Sequence, residues 1–256
     1  DLLFGEDGAD VLNGGWGIDY LVGGTGNDVL RGDGAADALY GEDGDDLLDG
    51  GTTFDTDILV GGAGNDVLRG DGGQGDYDLM DGGAGNDVYY VDTGADLTFE
   101  AIDGGTDTVH ANLNFMGGGV YLYANVENLV LEGLTGFGVG NELNNTLTGN
   151  GMDNWLLGGA GNDVINGKEG IDVLFGEAGA DTFVFGLGSG IDIVGDFTSG
   201  SDRIDLSAYG ITSLAQISPA FVQVGTSGAI DLGNGNAVIL LGVTMTQLTA
   251  ADFIFG

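Results

Sequence analysis

Aspartate recurs at one fixed position of a short glycine-rich motif in this chain. GGTGNDVLR at 23–31 returns with one substitution as GGAGNDVLR at 61–69, so Asp28 and Asp66 hold the same place. Carboxylates and main-chain carbonyls are the usual ligands of calcium, a hard cation that takes about six to eight oxygens. Glycine adopts left-handed conformations without steric penalty, so a six-residue turn can curl tightly with its carbonyls exposed. The motif therefore predicts tight turns that offer oxygen ligands to a hard cation.

The composition points to a chain whose folding depends on a cation. Of 256 residues, 55 are Gly, and 41 Asp and Glu face only 4 Lys and Arg, giving a formal net charge of −37. Such self-repulsion keeps a chain open unless counter-ions bind it. Regularly spaced Leu, Val, Ile and Phe favour strands. The lack of cationic side chains also makes nucleic acid an implausible partner.

The chain contains no cysteine, so it can form neither disulfides nor thiolate metal sites, and bound metal would have to supply the stabilisation. No apolar run is long enough to be a transmembrane segment, and the first residues do not have the pattern of a signal peptide. The sequence starts at Asp1 with DLLFG, which resembles the last residues of a repeat. We therefore expect the C-terminal piece of a longer protein.

The repeated unit has nine residues, G-G-x-G-x-D-x-U-x, where U is a large apolar residue. Copies begin at Gly5, Gly14, Gly23, Gly32, Gly41, Gly50, Gly61, Gly70 and Gly82, and again at Gly140, Gly149, Gly158, Gly167, Gly176 and, loosely, Gly186. This unit resembles the calcium-binding nonapeptide of RTX (repeats-in-toxin) proteins. The resemblance implies an all-β fold, a right-handed parallel β-roll in which two units make one coil. Each turn then stacks on the next turn but one.

Alternation of this kind places the turns of the first series on two edges. We call the edge with the copies beginning at Gly5, Gly23, Gly41, Gly61 and Gly82 the odd edge, and the other the even edge. All odd-edge turns have six residues, whereas the even edge holds every insertion and has Ala35 in place of a glycine. We therefore expect the more regular row of ions along the odd edge.

The resemblance also implies the ligands, because in the family each ion lies between two stacked turns. On the odd edge they are Asp10, Asp28, Asp46, Asp66 and Asp87, with main-chain carbonyls such as those of Gly23, Thr25, Gly61 and Ala63. On the even edge they are Asp19, Asp37, Asp57 and Asp78. In the second series Asp163 pairs with Asp181, and Asp172 with Asp192. Asn145 and Asn154 occupy the aspartate position there, and a neutral amide is a weaker ligand.

Four segments follow from these patterns. Residues 1–90 form the first block of the roll and 140–194 the second. Residues 91–139 are either a continuation of the solenoid with wider rungs or a packed linker. Residues 195–256 resemble the serralysin-type C-terminal region, which implies a cap that covers Trp155, Val173 and Phe175 and a type I secretion signal. The signal is expected in the ending Asp252 to Phe255, whose replacement should spare folding.

The sequence thus predicts a secreted calcium-binding module, extracellular or at the cell surface, that folds outside the cell after export by type I secretion machinery. One alternative is a structural module of a calcium-dependent surface layer or filament, self-associating through an apolar sheet face. Another is an accessory module of an exported protease, lipase or epimerase. His110 is the only histidine and is expected to be exposed or to pack on a strand, and not to act as a catalytic base. HExxH and GxSxG motifs are absent, so a catalytic domain would lie upstream of residue 1.

Overall fold

The structure is a computed structural model that describes residues 1–72, 77–113 and 118–256. Part of the longest even-edge insertion lies outside the described residues. So does the end of DTVHANLNF at 107–115, a run whose composition favours a strand. The described residues are built almost entirely from short strands. None of the helices in this part of the chain is long and apolar enough to cross a membrane.

The strands in the first half of the chain are β1 (Leu2–Asp7), β2 (Val11–Trp16), β3 (Tyr20–Thr25), β4 (Val29–Gly34), β5 (Ala38–Asp43), β6 (Leu47–Gly51), β7 (Ile58–Ala63), β8 (Val67–Arg69), β9 (Leu79–Ala84), β10 (Val88–Val91), β11 (Leu97–Phe99), β12 (Thr108–Ala111) and β13 (Gly119–Tyr121).

The strands that follow are β14 (Asn128–Leu131), β15 (Phe137–Val139), β16 (Thr146–Thr148), β17 (Trp155–Ala160), β18 (Val164–Asn166), β19 (Val173–Ala178), β20 (Thr182–Val184), β21 (Ile191–Val194), β22 (Arg203–Asp205), β23 (Phe221–Val224), β24 (Ser227–Gly233), β25 (Asn236–Leu240) and β26 (Phe253–Ile254). The helical elements are α1 (Leu214–Ile217) and the 3₁₀ turns Ser207–Tyr209, Ser218–Ala220, Met245–Gln247 and Ala250–Asp252.

The chain divides into two compact units, and the first consists of Asp1–Asn128 with Glu132–Thr135. Its odd-numbered strands pair in parallel in the order β1-β3-β5-β7-β9-β11, and its even-numbered strands pair in the order β2-β4-β6-β8-β10-β12. The chain therefore alternates between two sheets, one short strand at a time. The registers are in phase, so that Leu21 pairs with Leu3 on one side and Leu39 on the other.

The core of the first unit is a column of single residues, because each short strand points only its central side chain inward. These side chains are at most 5% exposed: Leu12, Leu21, Leu30, Leu39, Leu48, Leu59, Leu68, Met80 and Tyr89. Each buried large side chain contributes about 1.5–3 kcal/mol. The predicted all-β parallel β-roll is confirmed.

The second unit consists of Leu129–Leu131 with Gly136–Gly256 and has the same construction. One sheet runs β15-β17-β19-β21-β25-β24-β23, and the other runs β16-β18-β20-β22-β26. The pairing is parallel up to β25, and β24 and β23 then add in antiparallel fashion. Leu147, Ile165 and Phe183 are fully buried in its core.

In the second unit, β25 of the C-terminal segment pairs with β21 and so extends the sheet at its edge, since edge pairing satisfies main-chain groups that would otherwise be exposed. The expected cover of the outer face is incomplete. Trp155 remains 50% exposed, and its ring stacks on Phe175 at a centroid distance of 6.1 Å.

The chain ending packs into the second unit, and the sparing of folding when Asp252 to Phe255 are replaced stays a prediction. Asp252 and Phe253 are 0% and 3% exposed, and β26 pairs with β22. The Asp252 carboxylate accepts hydrogen bonds from the Gly200 amide at 2.7 Å and the Ser199 hydroxyl at 2.9 Å. These residues are therefore part of the folded unit.

Candidate calcium sites

Along the odd edge the turn aspartates form a continuous hydrogen-bonded ladder. Each main-chain N–H donates to the Oδ1 atom of the aspartate one coil further on. The N···O distance is 2.7 Å at Asp10 to Asp28, Asp28 to Asp46, Asp46 to Asp66 and Asp66 to Asp87. One carboxylate oxygen of each residue thereby fixes the stacking of two turns.

The even-edge aspartates form the same ladder, despite the insertions in their turns. The N–H groups of Asp19, Asp37 and Asp57 donate to Asp37, Asp57 and Asp78 at 2.8, 2.7 and 2.8 Å. The turn backbones show more regular bonding on the odd edge, where Gly8, Gly26, Gly44 and Gly64 each donate to the carbonyl of the next coil's turn at 2.7–2.8 Å. Which edge holds the more regular row of ions stays a prediction.

The second carboxylate oxygen has a different environment. In the described residues, ten Oδ2 atoms are buried without a hydrogen-bond partner: those of Asp10, Asp19, Asp28, Asp37, Asp46, Asp66, Asp87, Asp107, Asp163 and Asp172. An anionic oxygen buried without a partner is costly, and a hard cation compensates that cost. The residues therefore fit calcium.

Main-chain carbonyls converge on the same atoms. A Cβ atom on Gly23 would lie 2.8 Å from the Gly41 carbonyl oxygen and would also meet Asp28 Oδ2. On Gly61 it would lie 2.7 Å from the Gly82 carbonyl oxygen and would meet Asp66 Oδ2. The first glycine of each turn is therefore required because an aspartate oxygen and the next coil's carbonyl meet over its Cα.

The structure distinguishes the four predicted carbonyl ligands. The carbonyl oxygen of Gly23 would lie 2.5 Å from a Cβ built on Gly5, the first glycine of the preceding coil. The carbonyl oxygen of Gly61 would lie 2.6 Å from a Cβ built on Gly41. The carbonyl oxygens of Thr25 and Ala63 accept hydrogen bonds from the amides of Gly8 and Gly44 at 2.8 and 2.7 Å. The latter two have one lone pair engaged and one available, since a carbonyl oxygen has two.

Electrostatics also favour a cation in these rows. Burial raises the pKa of Asp66 to about 7, and the nearby carboxylates of Asp87 and Asp46 contribute to the rise. The hydrogen bond from the Asp46 amide lowers the pKa but does not outweigh burial. Burial likewise raises the pKa of Asp192 to about 7. It raises to about 6 the pKa values of Asp37, Asp46, Asp107, Asp163 and Asp172. A bound cation would offset the effect of burial by supplying positive charge beside the carboxylates.

The comparison with known protein families agrees with this geometry. The chain matches the RTX calcium-binding nonapeptide repeat, four copies per match, at residues 1–21, 22–56, 52–74, 73–97, 139–174 and 158–192. These matches cover more than half of the chain. The chain belongs to the RTX calcium-binding nonapeptide repeat family. It therefore binds Ca²⁺ at multiple sites.

One curated relative of the RTX chain is the endo-1,3-1,4-β-glycanase EglC of Rhizobium meliloti (strain 1021), 40% identical over 165 residues. The match covers 64% of this chain and 32% of the relative, so the chain spans about a third of the relative's length.

Two solved structures are similar to the RTX chain. One is the AlgE6R3 subunit from the Azotobacter vinelandii mannuronan C5-epimerase, with 30% identity, a TM-score of 0.31 and coverage of 45% of this chain and 80% of that one. The other is the extracellular lipase LipA from Serratia marcescens, with 20% identity, a TM-score of 0.34 and coverage of 94% and 40%.

The second repeat series of the RTX chain has the same ladder. Asn145 and Asp163 donate to Asp163 and Asp181 at 2.7 and 2.9 Å. Asn154 and Asp172 donate to Asp172 and Asp192 at 2.8 and 3.1 Å. The Oδ1 atoms of Asn145 and Asn154 accept amides of their own turns, from Asn141 at 2.7 Å and Asn150 at 2.8 Å. Asn145 and Asn154 are therefore still predicted to be weaker ligands, because their side chains are neutral and their oxygens already accept hydrogen bonds.

Three residues that extend the ladders of the RTX chain were missed in the sequence analysis: Asp96, Asp107 and Asp202. They accept the main-chain N–H groups of Asp78 at 3.2 Å, Asp87 at 2.7 Å and Asp181 at 3.1 Å, respectively. These acids lie one coil beyond the last complete repeat, where the glycine pattern has ended. An acid at that spacing before a strand-like run, as in DTVHA at 107–111, was the available signal.

His110 lies on β12 and packs on the sheet, in agreement with the sequence interpretation. Its ring stacks on Tyr90 at a centroid distance of 5.0 Å, and its Nδ1 atom lies 2.8 Å from Glu132 Oε1. The Arg69 guanidinium lies over the Tyr90 ring, with its central carbon 4.4 Å from the ring centroid. The histidine therefore belongs to a surface stack on the first unit.

Proposed function

We propose that this chain is the calcium-responsive repeat module of a larger exported protein, which stays open inside the cell and folds outside it. The observation that carries the proposal is the row of buried Oδ2 atoms without hydrogen-bond partners. A cation that binds only the folded state stabilises it increasingly as its concentration exceeds its dissociation constant. Extracellular calcium modules bind at about 10⁻⁴–10⁻³ M, so scarce intracellular calcium leaves the acids repelling one another.

In this mechanism the two oxygens of one aspartate act separately. Asp46 Oδ1 accepts the Asp28 amide and fixes the stacking of the turns, and Asp46 Oδ2 is directed toward the Gly61 carbonyl oxygen over the Cα of Gly41. Calcium supplies the positive charge that these oxygens require. Glycine at the first turn position keeps that space free of side-chain atoms.

The parent protein in this proposal is an exported enzyme for which the chain is an accessory module. Support comes from the glycanase match, which involves about a third of that relative. The catalytic domain would then precede residue 1. Type I secretion machinery is the proposed partner during export, with the signal in residues 195–256.

We also propose that residues 91–139 continue the solenoid with wider rungs and are not a linker. β11 and β12 support this arrangement, because they add to β9 and β10 in the two sheets of the first unit. The remaining segments, 1–90, 140–194 and 195–256, keep the roles that the sequence gives them.

Calcium should convert the purified chain from coil to strand. Far-UV circular dichroism in excess chelator should show a coil spectrum, and addition of calcium to about 10⁻³ M should produce the strand spectrum. Magnesium at the same concentration is the control, because it demands a smaller octahedral site and dehydrates reluctantly. A strand spectrum that chelation leaves unchanged contradicts folding on calcium binding.

The same samples test a second candidate function, a structural module that assembles. One outer row of the first unit is apolar, with Leu2, Tyr20, Ala38 and Ile58 paired in succession. Leu2, Tyr20 and Ile58 are 63%, 41% and 39% exposed, which leaves an apolar surface of the kind that marks interfaces. Growth of light scattering with calcium favours assembly, and a constant monomer signal contradicts it.

Export can be tested apart from folding. Residues 195–256 fused behind an unfolded passenger should carry it into the medium when a type I transporter is co-expressed. The matched fusion of residues 140–194, which has repeats but not the C-terminal segment, should leave the passenger in the cells. Retention of both passengers contradicts the signal assignment and does not affect the calcium proposal.

A further inference from the structure

Three carboxylates meet where the odd-edge repeats end. Asp87, Glu100 and Asp107 each place one oxygen within 4.8 Å of the others. Asp87 and Asp107 are 1% and 0% exposed. Asp87 Oδ2, Asp107 Oδ2 and Glu100 Oε2 are buried without a hydrogen-bond partner in the described residues. Two fully buried acids and a half-buried one that bring carboxylate oxygens within 4.8 Å of one another indicate a cationic ligand.

This cluster differs in composition from the repeat sites. Over the first glycine of a regular turn, such as Gly41, lie the turn's own aspartate oxygen and the carbonyl oxygen of the next coil's glycine. Over Gly82 lie the Asp87 carboxylate and the Tyr89 hydroxyl, the latter 2.5 Å from a Cβ built on the glycine. The neutral carbonyl of the repeat is thus replaced, and Glu100 contributes a carboxylate from outside any nonapeptide.

Tyr89 fixes the position of Glu100. Its side chain is fully buried, and its hydroxyl accepts the Gly82 amide at 2.7 Å. The hydroxyl contacts Glu100 Oε1 and lies 3.0 Å from the Phe99 carbonyl oxygen, which it can also reach as a donor. With Oε1 held by Tyr89, the Oε2 atom of Glu100 is the one left for a ligand.

Two main-chain carbonyl oxygens and that Oε2 atom lie close to one point beside Gly104. The point where a Cβ on Gly104 would lie is 2.8 Å from Glu100 Oε2, 2.9 Å from the Gly83 carbonyl oxygen and 3.2 Å from the Ala101 carbonyl oxygen. Burial raises the pKa of Glu100 to about 8, and the charges of Asp107 and Asp87 add to the rise against the Tyr89 bond. The cluster is therefore rich in oxygen and lacks positive charge.

We propose that Asp87, Glu100 and Asp107 form a calcium site of non-repeat composition that closes the odd-edge row; this inference rests on the calcium binding of the repeats. Only oxygen donors are present, and their mutual spacing suits an ion with ligands at about 2.3–2.6 Å. Ligand charge count tunes calcium affinity, so three carboxylates bind more tightly than the two that a pair of repeat turns supplies. The ion ties residues 100–107 to the turn at 82–87.

The variant Glu100→Gln tests this site. Glutamine keeps an oxygen acceptor for Tyr89 and removes the charge. The matched control is Glu42→Gln, which makes the same change at an exposed position in the odd-edge turn 41–46. Calcium bound per full-length chain is measured by equilibrium dialysis with elemental analysis as free calcium is lowered. Glu100→Gln should lose one tightly bound ion relative to the wild type, and Glu42→Gln should lose none.

A calcium-bound crystal structure of the wild type provides the second measurement and does not depend on how the variant folds. An ion bonded to Glu100, Asp87 and Asp107 is expected, and its absence there overturns the proposal. Equal ion counts for the two variants also overturn it. Failure of the wild type to fold with calcium is a different outcome, since that contradicts the proposed function itself.

Discussion

At the scale of single residues, aspartate is suited to these turns because its two oxygens can serve two partners. Asp66 Oδ1 accepts the Asp46 amide at 2.7 Å, and Asp66 Oδ2 remains buried and unpartnered. Asparagine offers only one oxygen, and Asn145 directs it to the Asn141 amide of its own turn. The identity of the acid therefore decides both the stacking of turns and the binding of an ion.

The fourth turn position also requires glycine, and the variant Gly64→Ala tests this requirement. Gly64 has φ = 142°, and its Cβ would lie 2.5 Å from the carbonyl carbon of Gly44. Gly8 is the matched control, with φ = 132° and only the Asp10 carboxylate, at 3.9 Å, near its Cβ. Both alanine substitutions introduce similar backbone strain. Gly64→Ala should lower the free energy of unfolding by about 1–3 kcal/mol more than Gly8→Ala, because its Cβ also clashes with the Gly44 carbonyl group. Urea unfolding at fixed excess calcium measures it, and equal losses contradict the close approach.

The repeat made most of the ligand set predictable from sequence, because its glycine spacing fixes where each aspartate lies. Asp28 and Asp66 occur at the predicted ladder positions. Asp107 and Asp96 were missed, since they take part in the ladders after the glycines have disappeared. Glu100 could not be found at all from the repeat, because only the fold brings it next to Asp87.

At the scale of elements, the sequence determined which strand residues point inward but not how the C-terminal strands attach. An apolar run such as AVILL at 237–241 can lie across a sheet face or add to a sheet edge. In the structure it adds to the edge, where the Ala237 amide donates to the Gly190 carbonyl at 2.8 Å. The edge location satisfies main-chain groups as well as burying Val238 and Leu240, whereas a face contact would provide only burial.

The chain ending shows the same limit of local pattern. An acid followed by apolar residues is typical of an export ending, yet Asp252 accepts the Thr249 and Gly200 amides and Phe253 is buried. The pattern does not reveal that a loop with exposed amides lies beside it. For this reason the export experiment transfers residues 195–256 whole and does not alter Asp252.

At the scale of the whole molecule, the proposed folding on calcium binding requires that the charge of −37 be reduced before the two sheets close. Calcium does this by binding the carboxylates, and protons can do it by neutralising them. The two routes oppose each other at a given aspartate, because a protonated carboxyl is a poor calcium ligand. Acidification should therefore favour folding without calcium and weaken the binding of calcium to the folded chain.

The sign of this effect follows from the raised pKa values. Asp66 and Asp192 have pKa values of about 7 and Asp46 about 6 in the folded chain, against 3.8 for an ordinary aspartate. The folded state then binds more protons than the unfolded state, so its stability without calcium is greatest below about pH 4 and is lost as pH rises through about 6 to 7. In chelator, circular dichroism should show more strand at about pH 5, above the isoelectric point of about 4.1, than at about pH 7.5. Calcium should add less stability at the lower pH, because protons compete with it for Asp46 and Asp66 in the folded chain. A calcium-induced gain in stability that is equal at the two pH values contradicts carboxylate ligation, and unchanged coil in chelator contradicts burial as the source of the shifts.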